Sequence, residues 1–152
     1  MIGRLLGVDP GEKRIGLAVS DALGISAREL EIVQSRGPAK DFARISSIAS
    51  RESAVGIVVG VPINPNAPAG ISTQADQVRL WIAEMRKIIA LPVVEVSEYL
   101  TTEEARSLAA TQKRAAREHI DDLAARVILQ SYLDALSCGS ATFPPQDIGT
   151  CA

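Results

Sequence analysis

A chain of 152 residues is long enough to bury one core without disulfide staples, and 47% hydrophobic residues with only 3% aromatics fit an α/β core of Ala, Leu, Ile and Val rather than a disordered chain. The net charge of −2 excludes a globally basic coat for nucleic acid, while leaving local patches open. No apolar run reaches the roughly 18 residues that span a bilayer, and the N-terminus lacks a basic region followed by a long apolar one, so a soluble, cytoplasmic protein with no membrane partner is expected.

The first apolar run, Leu5 to Val8, stops at Asp9 and is followed by Pro10-Gly11, after which Ile15 to Val19 is apolar again. Pro10 presets φ and Gly11 relaxes it, so the pattern predicts a β-hairpin with Asp9 held at the end of its first strand. A third antiparallel strand is expected from Ile25 to Val33, after Gly24. Gly37-Pro38 then punctuates the chain, and Ala39, Phe42, Ile45 and Ile48 recur at helical spacing, which predicts a helix over residues 39–52.

Val55 to Val61 is continuously apolar, the pattern of a parallel strand covered on both faces. Residues 62–72 carry three prolines, two asparagines and one glycine, too many breakers for regular structure, and are expected to form a long loop at that strand's C-terminal end. Ile71, Ala75, Val78, Ile82, Met85 and Ile89 mark an amphipathic helix whose Trp81 is read as a packing residue. Leu91-Pro92 stops it before a short strand, Val93 to Glu98.

Thr101 with Glu104 forms a capping box, so a further helix begins directly after Glu98. Lys113, Arg114 and Arg117 lie in a locally basic link whose plain reading is a solvated face. A last helix with a broad apolar face follows from Ile120, with Asp121 suited to its start. Cys138 and Cys151 are isolated and read as reduced thiols rather than zinc ligands or a disulfide framework. One domain over residues 1–138 and a loose tail over 139–152 are expected.

Three acids, Asp9, Glu98 and Asp121, thus fall at element boundaries. Three carboxylates brought together repel one another unless cations neutralise them, and Mg²⁺ takes such oxygen ligands readily. Paired ions about 4 Å apart activate water and stabilise a leaving oxygen in phosphodiester cleavage. On spacing alone the plainer account, a turn acid, a surface acid and a helix cap, comes first.

The runs GVDPGEKRIGLAVSD, IVVGVPINPNAPAGISTQADQVR, LTTEEAR and IDDLAARVILQSYLD, in that order, resemble the four signature blocks of the YqgF/RuvX family of small bacterial proteins in the RNase H-like superfamily. The resemblance spans about residues 4–136. It implies an RNase H-like mixed five-stranded sheet, three antiparallel strands then parallel ones, flanked by helices. It also implies a Mg²⁺- or Mn²⁺-dependent nuclease for the 5′ end of pre-16S rRNA, in the small-subunit precursor, or for branched DNA as a Holliday-junction resolvase. Carried over by position, the metal-binding and catalytic acids fall on Asp9, Glu98 and Asp121, with Asp122 the weaker of its pair. Lys13, Arg14, Asn64, Asn66, Lys113, Arg114 and Arg117 fall where nucleic acid would be contacted.

One departure stands out. The family's middle block usually reads Asp-Glu-Arg, whereas this chain has Ser97-Glu98-Tyr99. Losing a bidentate guanidinium weakens phosphate clamping there. That departure keeps a non-catalytic nucleic-acid-binding factor as a second class. A sugar-kinase or actin-like ATPase is a third, but it needs a duplicated domain and a glycine-rich adenosine motif, and neither is present. Monomer and homodimer both stay open.

Overall fold

The computed structural model describes residues 3–11, 13–62, 74–97, 120–139 and 143. In chain order the elements are β1 (Arg4–Asp9), β2 (Arg14–Ser20), β3 (Ala27–Gln34), α1 (Pro38–Arg51), β4 (Ala54–Val61), α2 (Gln74–Ile88), β5 (Val93–Ser97) and α3 (Ile120–Ser137). The strands form one sheet in the order β3-β2-β1-β4-β5. β1 to β3 are antiparallel neighbours, and β4 and β5 continue the sheet parallel to β1. This is the mixed architecture expected from the sequence.

Strand alternation sorts the core into two layers. Leu6, Val8, Ile15, Leu17, Ile57 and Val59 face α1 and α2, meeting Phe42, Ile45, Ile82 and Met85. Leu5, Ala18, Val58 and Val94 face the other way and pack on Ala125, Ile128, Leu129, Tyr132 and Leu133 of α3. Both faces of the central strands are therefore covered, which is why β4 is apolar throughout.

Two expectations shift for local reasons. β3 begins at Ala27 rather than Ile25 because the Asp21 carboxylate accepts the Ile25 N–H at 2.8 Å, holding that residue in the turn. α1 begins at Pro38 and buries Asp41 at 3% exposure, whereas Ala39, expected on its apolar face, is exposed. The Ser35 hydroxyl donates to Asp41 Oδ2 at 2.6 Å, and the Arg36 N–H donates to Oδ1 at 2.8 Å. The carboxylate thus binds the chain leading into its own helix.

The expected loop from Ile63, Glu98, the capping box and the basic link lie outside the described residues. From the stretch expected to be loose, Phe143 is half-buried against the α3-side core, with its ring over Gly56. No helix among the described residues is long and apolar enough to cross a membrane.

Candidate functional site

The C-terminal ends of β1, β4 and β5 lie side by side. Val8 pairs with Val59, Val59 with Glu95, and Val61 with Ser97, so Asp9, Val61 and Ser97 end three parallel strands at one edge of the sheet. Open sheets of this kind place ligands at that edge. Asp9 is half-buried there, opposite Gly16 across the hairpin. By alternation it shares the face of Leu5 and Gly7, the face covered by α3.

α3 crosses β1 at Gly7. A Cβ on Gly7 would stand 2.8 Å from Leu129 Cβ and 2.9 Å from the Ala125 carbonyl oxygen, so only glycine admits this approach. The direction of α3 follows from its polar contacts. Arg126 meets Glu29 at 3.1 Å, whereas Gln130, one turn later, accepts from the Ala27 N–H and donates to the Ile25 carbonyl. Because β3 runs toward the Asp9 edge, the helix runs away from it, and its N-terminal turn lies at that edge.

Asp9 is two strand residues beyond Gly7, about 7 Å along β1. Asp121, second residue of α3, is four residues before Ala125, about 6 Å along the helix in the same direction. The two positions are therefore abreast.

Of the other expected site residues, Lys13 and Arg14 are exposed where the hairpin turn meets β2, on the same edge. The Lys13 carbonyl accepts the Ser35 N–H at 2.9 Å, tying this turn to the loop held by Asp41. Glu98, Asn64, Asn66, Lys113, Arg114 and Arg117 lie outside the described residues, as does the Asp121 side chain. Among the described residues, no three His, Cys, Asp or Glu side chains come together as a metal site. A half-buried strand-end carboxylate such as Asp9 is nonetheless a hard oxygen donor of the kind Mg²⁺ and Mn²⁺ take.

Sequence reasoning missed two supporting residues. Gly7 has no signal beyond its place in an apolar run. Asp41 carries one, an acid three residues after a helix-starting Gly-Pro.

Residues 3–135 match the family model described as RuvX, Holliday junction resolvase. A protein of Symbiobacterium thermophilum named "Putative pre-16S rRNA nuclease" is 40% identical over 146 residues, covering 94% of this chain and 97% of its own length. One of the same name from Ligilactobacillus salivarius is 39% identical, covering 88% of this chain and 94% of itself. Among solved structures, Thermus thermophilus RuvC in complex with a Holliday junction superposes with a TM-score of 0.61 at 15% identity, covering 91% of this chain and 97% of that one. The fowlpox virus resolvase bound to junction DNA gives 0.54 at 12% identity, over 88% and 98% of the two chains. At these identities the structural likeness concerns the fold.

Proposed function

The chain belongs to the RuvX family of Holliday junction resolvases, and from that premise we propose that it is a divalent-metal-dependent endonuclease that trims the 5′ end of pre-16S rRNA within the small-subunit precursor. The observation that carries the reading is the run of α3 over Gly7, which sets the Asp121 position abreast of Asp9 at the strand-end edge. Ser97, the last residue of β5, lies at that same edge, and Glu98 is the next residue of the sequence. We assign Asp9, Glu98 and Asp121 to hold the metal. Asp121 is favoured over Asp122 because it shares the helix row of Ala125 and Leu129 against β1, whereas Asp122 shares the row of Arg126, which leans to Glu29 on β3.

When bound, the divalent ion neutralises charge developing at the phosphate and makes water a competent nucleophile. The chain's own part is positioning. Asp9 is held by a strand whose two faces are both packed, so its carboxylate starts from a rigid backbone. Lys13 and Arg14, exposed beside it, are placed to meet flanking phosphates, where charge fixes register without reading sequence. Ser97 and Tyr99 replace the acid and guanidinium usual in the family, so clamping rests on Lys13, Arg14 and the basic residues Lys113, Arg114 and Arg117.

Wild type and Asp9→Asn, each with Mg²⁺ or Mn²⁺, are incubated with a labelled RNA spanning the pre-16S 5′ end and with a labelled four-way DNA junction. Wild type is expected to cut the RNA and Asp9→Asn to lose that activity. Cutting of the junction alone would move the substrate to branched DNA, which the family description favours as the second reading. No cutting of either by wild type would overturn the nuclease reading in favour of a binding factor.

A further inference from the structure

We propose that a recess beside the β1–β2 turn receives one unpaired nucleobase of the substrate, stacked against Trp81. The ligand class rests on the nuclease reading above, but the recess itself does not. It has a volume of about 210 Å³ and is lined by Pro10, Gly11, Ser35, Asp41, Gln77 and Trp81, among others. At roughly 30 Å³ per water that is room for about seven waters, the scale of a single heterocycle and not of a base pair.

Its walls supply what a base needs. Trp81 is half-buried, and Phe42 holds its ring at a centroid distance of 5.0 Å and a tilt of 50°, so the indole is an ordered platform. Aromatic platforms of this kind bind bases through their π faces, whatever the sequence. Gln77, exposed on α2 four residues before Trp81, adds an amide with both donors and an acceptor for the base edge. The remaining wall is stiff, because Asp41 pins Ser35 and Arg36 by the two hydrogen bonds already described.

The position fits a nucleotide next to the one being cut. Asp9 faces α3, whereas the recess opens on the α1 and α2 face, and Pro10 and Gly11, the two residues that follow Asp9, form its near wall. A strand whose phosphate lies at Asp9 thus brings a neighbouring base beside that wall.

Trp81 is the chain's single tryptophan, so its emission reports on the recess directly. Wild-type protein in EDTA, where metal-dependent cutting cannot intervene, is titrated with a single-stranded RNA hexamer and with the same hexamer made abasic at its central positions. Affinity is followed separately by anisotropy of end-labelled RNA. The intact hexamer is expected to quench Trp81 and to bind at least about fivefold more tightly than the abasic one, the lower end of what base stacking contributes. In Gln77→Ala the margin between the two should narrow through weaker binding of the intact RNA alone.

Equal affinity and equal quenching by the two hexamers would overturn the proposal, and so would binding of neither. Discrimination unchanged in Gln77→Ala would also overturn it. The nuclease reading fails separately, by absence of cutting. Base-dependent quenching without cutting would leave the recess standing, and cutting without base-dependent quenching would leave the nuclease standing.

Discussion

Leu129 of α3 sits so closely over Gly7 of β1 that the Cβ glycine lacks would stand 2.8 Å from its own. The second obstacle, at 2.9 Å, is the Ala125 backbone oxygen, which no side-chain rotation can clear. Gly7→Ala must push the helix off the strand. Overpacking of this kind typically costs about 1–3 kcal/mol. Because the same contact aligns the Asp121 position with Asp9, cutting should fall much further than stability does. Urea unfolding together with single-turnover cutting checks this, and a variant with wild-type cutting would show that the helix approach does not set the site.

Metal binding should be visible without any substrate. An ion that binds the folded chain at 100 times its Kd stabilises it by about 2.7 kcal/mol, which in a domain of this size raises Tm by roughly 5–10 °C. Thermal unfolding in EDTA and in excess Mn²⁺ should show that rise for wild type, and Asp9→Asn should show little or none. An equal rise in both would place the ion away from Asp9.

Much of this fold is readable in the chain because its punctuation and periods agree. The run ending at Asp9-Pro10-Gly11, the doubly buried pattern of β4 and the stripe Ala75, Val78, Ile82, Met85 and Ile89 each lead to the element observed. What pattern misses is side chains that act on backbone. Asp21 captures the Ile25 N–H and delays β3, and Asp41 turns inward to hold Ser35 and Arg36. Of the candidate site, Asp9 was legible from the sequence because an apolar run breaks there into turn chemistry. The approach of α3 at Gly7 was not, since it joins residues more than a hundred positions apart. The recess was hidden because its walls come from three separate segments, the first turn, the β3–α1 link and α2.

Asp41 offers a stability test that is independent of function. Replacing it by Ala leaves the Ser35 hydroxyl and the Arg36 N–H, part-buried donors, without the acceptor they share. Losing two hydrogen bonds to a charged group should cost about 3 kcal/mol, while Asp41→Asn, which keeps one oxygen, should lose less. The Ser35 N–H also donates to the Lys13 carbonyl, so its hydrogen exchange should quicken in Asp41→Ala. Denaturant midpoints that rank the two variants together with wild type would refute this account.

Tyr132 should make the fold sensitive to alkali. It is buried against the core beneath α3, at 6% exposure, and that burial raises its phenol above the ordinary value of 10.0. The unfolded phenol ionises near 10, whereas the folded one still holds its proton there. As the pH climbs past 10, the unfolded state gains the free energy of ionisation and the folded state does not. Stability tied to the neutral phenol is therefore complete below about pH 10 and is lost as the pH rises toward the folded value. Tyr132→Phe keeps the ring in the core and removes the titrating proton. Urea unfolding at about pH 8 and pH 11 should then show a smaller alkaline loss in Tyr132→Phe than in wild type, with lysines and Tyr99 contributing alike to both. Equal losses would mean that the burial of Tyr132 does not govern its ionisation.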